Sequence, residues 1–303
     1  MTEPASGRAR WLGGHRITLA SCGSTNDEAA ALARSGAPHG TVVIAAAQTM
    51  GRGRQGRRWY SPPGANLYLS MVLRPALPPR RVPPITLAVG VAVCEAVNAA
   101  GVAASLKWPN DVTVGGRKLA GILTEMSTRG HGDATRDEPV LDHVIVGSGV
   151  DLDLPPAEIP AEVAAVATSI AAERGGRAVD HAAFTEALLD ACERWIDRFL
   201  GGGVAAIAAA WTERAALAGT VRAGAVTWVQ VGLDASGALL SRITEAVGEK
   251  ILAALNQSYQ LDKVAYHCTP SIGVTLFKGN LTTIDDLLKQ ADLAMYKSKD
   301  AGR

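Results

Sequence analysis

Lys107-Trp108-Pro109-Asn110-Asp111-Val112-Thr113-Val114-Gly115-Gly116-Arg117-Lys118-Leu119-Ala120-Gly121-Ile122-Leu123-Thr124-Glu125 sets the architecture of the chain around it. Ser105 to Trp108 leads in as extended backbone, because Pro109 sterically biases its predecessor away from the helical region. Val112 to Val114 is short and β-branched at its ends. Gly115-Gly116 supplies a turn where positive φ carries no penalty, and Lys118 to Glu125 follows as a second apolar strand. The stretch predicts an antiparallel hairpin.

Working outward, Ser127 to Pro139 is polar and mixed in charge and reads as an exposed loop, after which His143 to Leu152 is a further strand. Upstream, a helix is predicted from about Pro84 to Ala99. Asn66 to Leu73 alternates as a strand that pairs with the buried Thr41 to Gln48, and Arg16 to Ala20 is a short strand. A helix starts near Ser24 and runs toward Arg34, with Ser24 and Asp27 spaced as a capping box. Downstream come helices from about His181 to Leu200 and Val204 to Ala216. Val221 to Leu240 then reads as short strands punctuated by Gly224, Gly232 and Gly237. Clustered strands, without regular β-α alternation, favour an α+β fold with a mixed sheet and flanking helices.

With 303 residues and 48% hydrophobic content, the chain can bury one large core or two smaller ones. The apolar runs Ile85 to Val93 and Val204 to Ala210 are too short to span a bilayer, and Met1 to Gly14 lacks the apolar core of a signal peptide. A cytoplasmic protein with no membrane partner is expected. Cys22, Cys94, Cys192 and Cys268 lie far apart without a C-x-x-C pair, which argues against a zinc site or a disulfide framework. A net charge of +1 gives no global field toward nucleic acid.

The use of cations changes along the chain. Met1 to Leu240 holds 20 arginines and two lysines, whereas Ser241 to Arg303 holds two arginines and six lysines, as a fusion of two sequences near Leu240 would show. In the arginine-rich part the only lysines are Lys107 and Lys118. A compact ammonium approaches a single phosphate or carbonyl oxygen where a planar guanidinium is bulkier. Two ordinary surface lysines would give the same pattern.

Gly51-Arg52-Gly53-Arg54-Gln55-Gly56-Arg57-Arg58-Trp59 contains a G-x-G-x-x-G string after a strand, but a dinucleotide fingerprint needs a helix at the glycines. Tyr60-Ser61-Pro62-Pro63-Gly64 follows instead, where no helix can begin. What remains is a loop with four guanidinium groups, suited to closing over a phosphate-bearing ligand. A solvated basic loop, or a nucleic-acid patch with Trp59 and Tyr60 as stacking residues, stays open at this point.

Taken together, five ordered blocks resemble the biotin-protein ligases over about Arg16 to Leu240. They are Ser24-Thr25-Asn26; Gln48 with Gly51-Arg52-Gly53-Arg54 and Gly56-Arg57; Ser61-Pro62 with Gly64-Ala65-Asn66-Leu67-Tyr68; Lys107 to Asp111; and Gly116 to Leu123 with Glu125. The resemblance implies a class II synthetase-like ligase fold over 16–216 and a small β-barrel, here truncated, over 217–240. It also implies biotin, ATP and Mg2+ as ligands, and a biotin carboxyl carrier protein as acceptor.

Residue by residue, it implies Ser24, Thr25 and Asn26 at the biotin end, with Gln48, Gly51 and Arg52 toward the valeryl and carboxyl region. Arg54 and Arg57 would fold the loop onto adenylate, Trp59 would pack on adenine, Asn110 would bond on the adenine side, and Asp111 would be a structural or magnesium-associated carboxylate; no metal ligand is firmly assigned. Lys118 and Arg54 are the expected catalytic residues, Lys118 because the reaction joins two anions, the biotin carboxylate and the ATP α-phosphate. Helix capping by Ser24, an anchoring role for Trp59 and an Asn-Asp turn at Asn110 and Asp111 are the plainer readings of the same residues.

The family commonly ends the later strand with Gly-x-Asn, where this chain has Gly149-Val150-Asp151, a carboxylate in place of an amide. Residues 1–15 read as a disordered tail without a winged helix-turn-helix, so operator binding is not expected. The oligomeric state, monomer or homodimer, stays open. Ser271 to Thr275 and Leu287 to Lys299, ending in Gly302-Arg303, resemble the C-terminal part of a GGDEF diguanylate cyclase domain. Residues 241–303 would then be a helix-strand-helix remnant, with Ile243 to Tyr259 as the first helix and Lys299 and Arg303 at phosphate-binding positions. The hairpin that names that family is missing, so no cyclase activity is expected. Three readings follow: an active biotin ligase, a chimera that binds biotin or adenylate without turnover, and, less favoured by the Lys107 to Asp111 block, a lipoate-type ligase.

Overall fold

The structure, a computed structural model, describes residues 10–129, 139–154, 160–216, 220–223, 226–233, 237, 239–243, 259–261 and 264–266. The chain divides into two compact units, Met1–Ala216 and Leu217–Arg303.

The first unit is built on a seven-stranded sheet of order β1-β2-β3-β7-β6-β5-β4. Its strands are β1 (Arg16–Leu19), β2 (Val42–Ala45), β3 (Asn66–Leu73), β4 (Ser105–Lys107), β5 (Asp111–Val114), β6 (Arg117–Arg129) and β7 (Val140–Asp151). β1 runs parallel to β2 and every other pairing is antiparallel, so the sheet is mixed, as the strand clustering requires. All residues of β3 are buried, because helices cover both faces. On one face α1 (Thr25–Arg34) packs Ala29 and Ala33 against Val43, Val72 and Ile145. On the other lies α2 (Ile85–Ala99), whose Thr86 hydroxyl is 2.8 Å from that of Thr124 on β6. α2 in turn packs against α5 (His181–Gly202) and α6 (Ala205–Arg214), and because it is covered over most of its surface it is apolar over most of its length, with Glu95 and Asn98 left at its more open side. Pro79–Ala99 is therefore long and apolar enough to pass for a membrane span, contrary to the reading from shorter runs, yet its most apolar 18-residue window is 72% buried inside the fold.

Gly115 (φ 56°) and Gly116 (φ 81°) close the hairpin between β5 and β6 in the left-handed region, as their sequence requires. Three local expectations are corrected, two of them by pairings made elsewhere in the chain. Ser127 to Arg129, read as loop, extend β6 because they pair with His143, Leu141 and Val140. Ser24 stands at the N-cap of α1, but its side chain makes no capping hydrogen bond. α6 stops at Arg214, since the Ala216 amide donates to Leu106 O at 2.9 Å beside β4.

Arg10 to His15 is not a disordered tail. Leu12 is fully buried and its amide donates to Glu193 at 2.8 Å, Trp11 Nε1 donates to Asp197 at 3.2 Å, and Arg10 and Arg16 converge on Glu186 of α5. The short helices α3 (Ala161–Ala164) and α4 (Ile170–Glu173), the latter capped by the Ser169 hydroxyl, carry the chain from the end of β7 to α5.

In the second unit β8 (Thr220–Ala223), β9 (Val226–Leu233) and β10 (Leu239–Ile243) form an antiparallel sheet, and β11 (Tyr259–Leu261) pairs with β12 (Val264–Tyr266). Ile243 and Tyr259 are strand residues here, so the helix expected over them does not include its two end residues. Its interior, and the Ser271 to Thr275 strand and Leu287 to Lys299 helix with Lys299 and Arg303, lie outside the described residues.

Candidate active site

Strand alternation decides which side chains meet on the α1 face of the sheet. In register with Val72, whose side chain packs under α1, lie Ser70, Tyr68 and Asn66 on β3, then Ile145, Gly147, Gly149 and Asp151 on β7, and Gly121, Leu123 and Glu125 on β6. Two glycines in this row make room where larger residues would fill it. A Cβ on Gly147 would stand 2.1 Å from Asn26 Oδ1, and one on Gly149 would stand 2.5 Å from Trp59 Nε1. Asn26 and Trp59, seated against these glycines, line a cavity of about 520 Å³, a size typical of small-ligand sites.

The inner end of this cavity is polar and tightly wired. Gln48 Oε1 accepts from the Thr25 amide (2.8 Å) and hydroxyl (3.1 Å), while Gln48 Nε2 donates to Ser61 Oγ (3.1 Å). The buried Ser70 hydroxyl lies 2.8 Å from Thr25 Oγ1 and 2.6 Å from Asn26 Oδ1. Asn26 Nδ2 donates to Glu125 at 2.7 Å. Ser24 is nearly fully buried and also lines the cavity, its hydroxyl not engaged in capping. The first turn of α1 thus presents fixed hydroxyls and an amide, the equipment for a small neutral polar group.

Gly51 to Trp59 folds over the cavity as a small hairpin: Arg52 bridges Arg58, Gly53 N donates to Arg57 O at 2.7 Å, and Trp59 N donates to Gly51 O at 2.9 Å. Gln55 turns it through φ 58°. Arg52, Arg54, Arg57 and Trp59 line the cavity; Gly51 does not, and serves instead to anchor the Trp59 strand of the hairpin. Arg52, expected beside a ligand carboxyl, is already paired with Asp27 (2.8 Å) and Glu125 (3.0 Å), so it ties the hairpin to α1 and β6. Arg54 donates to Asn110 Oδ1 at 3.2 Å, and Asn110 Nδ2 donates to Ile122 O at 3.0 Å.

Lys118 lies under this hairpin. Its backbone is clamped by Lys118 N to Val166 O (2.7 Å) and Thr168 N to Lys118 O (2.9 Å), which fixes where the side chain starts. Its ammonium stands 2.6 Å from Asp111 Oδ1 and 5.2 Å from the centre of the Trp59 ring. Apart from this ion pair, the buried Trp59 Nε1 and Ser148 Oγ of the cavity lining have no hydrogen-bond partner among the described residues. Two polar atoms at one cavity are thus left to be satisfied by something the chain does not supply. The ammonium, the indole N–H and the guanidinium of Arg54 line one end of the cavity, which makes it an anion site.

Every sequence-predicted site residue except Gly51 therefore faces one cavity. The sequence missed Ser70 and the Gly147 and Gly149 clearances; the period-two alignment of Gly147, Gly149 and Asp151 was the signal for the last two. Among the described residues no group of three or more His, Cys, Asp or Glu side chains forms a metal site.

The description of the biotin/lipoate A/B protein ligase family matches residues 18–151, and that of the diguanylate cyclase GGDEF domain matches residues 232–303. The second match starts inside β9, nine residues before Ser241. The bifunctional ligase/repressor BirA of Bacillus subtilis is 34% identical over 249 residues, covering 80% of this chain and 74% of that protein. The biotin--[acetyl-CoA-carboxylase] ligase of Paracoccus denitrificans is 37% identical over 232 residues, 74% of this chain and 92% of its own length. The structure of the biotin protein ligase from Aquifex aeolicus in complex with biotin and ATP superposes with a TM-score of 0.62 at 28% identity, covering 77% of this chain and 94% of that one. With a shared mixed-sheet fold and these similarities over most of its length, the chain belongs to the biotin protein ligase family.

Proposed function

We propose that this chain joins biotin to ATP as biotinyl-5'-AMP and then passes biotin to a lysine of a carboxyl carrier protein. The observation that carries the reading is the Lys118 ammonium held beside Trp59 beneath an arginine hairpin in a single cavity. A biotin carboxylate oxygen attacks the α-phosphorus, the bond to the bridging oxygen breaks, and pyrophosphate leaves. Two anions must meet for this, and a fixed ammonium offsets their repulsion as charge builds. In the second step the acceptor amine attacks the biotinyl carbonyl carbon, AMP leaves and the amine loses a proton.

Ser24, Thr25 and Asn26 suit the polar ureido ring of biotin, since both donors and acceptors are fixed there; Gln48, expected toward the valeryl and carboxyl region, holds Thr25 in place at this same end. Arg54, Arg57 and Asn110 suit the nucleotide, and the hairpin keeps water from the reactive mixed anhydride. Trp59 offers its ring face to adenine. Mg2+, if bound by the ATP phosphates, would neutralise part of their charge. The donor set fits an ion carried by nucleotide phosphates and water, with no resident protein cage among the described residues.

Biotin-dependent exchange of labelled pyrophosphate into ATP tests the first step, and incorporation of labelled biotin into a carboxyl-carrier domain tests the second. Exchange without carrier labelling would restrict the activity to adenylation. Biotin binding with no exchange would replace the ligase by a binding chimera.

A further inference from the structure

Asp151 ends β7 on the cavity side of the sheet, one alternation beyond Gly149, and its side chain is almost wholly buried. Its Oδ1 accepts from Asn66 Nδ2 at 2.9 Å, and Asn66 is itself fixed because its Oδ1 accepts from the Leu152 amide at 3.0 Å. The partner is thus an oriented neutral amide. Among the described residues no cation forms a salt bridge with Asp151; the Lys118 ammonium, whose field reaches it, is paired with Asp111 instead. The ionisable groups facing it are Lys118 from β6 and the Tyr68 phenol from β3, with Asp111 of β5 on the far side of Lys118. Leu154, Val163, Val166 and Ala167, which also line the cavity, bring no charge. Burial pushes the Asp151 carboxyl well above the usual carboxylate range, and the field of Lys118 opposes this.

A cavity that must bring two anions together is a poor place for a third. We propose that Asp151 is a positioning residue that works as a neutral carboxylic acid: while protonated it leaves the Lys118 ammonium to the anions of biotin and ATP, and once ionised it draws on that ammonium and repels both. The inference rests on the ligase reading and adds to it a built-in loss of adenylation on the alkaline side. The sign follows from the chemistry: the competent form holds the proton, so activity falls as pH rises through the titration of Asp151 in the folded chain.

Asp151→Asn tests this in the full chain, because the amide keeps an acceptor for Asn66 and carries no titrating proton. Biotin-dependent pyrophosphate exchange is measured for both chains from mildly acidic to mildly alkaline pH, with KM for ATP and kcat separated. The wild type is expected to lose about tenfold per pH unit beyond its alkaline midpoint, chiefly through KM, while Asp151→Asn holds the acid-side rate across that limb. The melting temperature is an independent readout: Asp151→Asn is expected to gain on the wild type as pH rises and to converge with it in acid. Parallel activity profiles, or a melting-temperature gap that does not move with pH, would overturn the inference alone. Absence of exchange in the wild type at every pH would overturn the ligase reading and this inference with it.

Discussion

The Lys118 ammonium and Asp111 Oδ1 lie 2.6 Å apart across the hairpin formed by β5 and β6. The pair joins one of the two lysines of the arginine-rich region to a carboxylate only partly exposed, so the ammonium is parked at the cavity wall with its direction already set. A ligand anion has to compete with Asp111 for it and needs no large movement of the backbone, which Val166 and Thr168 hold on both sides.

Replacing this ammonium should therefore cost rate and leave the fold intact. Lys118→Ala is expected to lower biotin adenylation by about 10² to 10³, with little change in melting temperature. Lys118→Arg should recover little, because the guanidinium is too broad for the space beside Gly121 and Trp59. Single-turnover formation of biotinyl-adenylate is the measurement; near-normal rates in Lys118→Ala would remove the assigned role.

Gly147→Ala places a methyl where Asn26 Oδ1 now sits. Asn26 has to turn away, which breaks its links to Ser70 and Glu125 and loosens the polar end of the cavity. Biotin affinity measured by calorimetry is expected to fall by about tenfold or more, roughly 1.4 kcal/mol. ATP affinity should change little, since Arg54 and Asn110 lie elsewhere in the cavity.

Ser70→Ala leaves Asn26 Oδ1 without its buried donor. Loss of a buried partner costs about 1–3 kcal/mol, so chemical denaturation should show a lowered midpoint with an unchanged slope. If stability is preserved and biotin affinity alone falls, the hydroxyl contributes to the ligand and not to the fold.

At the N-terminus, hydrogen bonds from Arg16 and then Arg10 hold the Glu186 carboxyl down to about 2. A carboxylate lowered by folding adds stability above its unfolded value, and that stability is lost as pH falls from the ordinary Glu range toward about 2. The melting-temperature gap between wild type and Glu186→Gln should therefore close on acidification through that window. Because the side chain is about half exposed, the gap should correspond to no more than about 1 kcal/mol. A gap that stays constant with pH would assign Glu186 a purely packing role.

Local chemistry made much of the fold legible. The Gly115-Gly116 turn, the apolar Ile85–Ala99 helix and the alternation of β3 and β7 each depend on neighbours within a few residues, so their patterns survive in the sequence. Arg10 to Leu12 could not be read that way, since the groups that order them, Glu186, Asp190 and Glu193, lie more than 170 positions away. Ser24 shows the same limit: its spacing to Asp27 fits a cap, but its hydroxyl is not used as one.

For the site, the ordered blocks shared with the biotin-protein ligases pointed to residues that line one cavity, Gly51 apart. Their charge states and partners were decided only by folding. Arg52 is bound by Asp27 and Glu125, Gly147 and Gly149 are small because Asn26 and Trp59 press on them, and Asp151 is a buried acid because β7 ends it against Asn66. Each of these rests on distances between segments far apart in the chain, which sequence pattern does not encode and tertiary packing does.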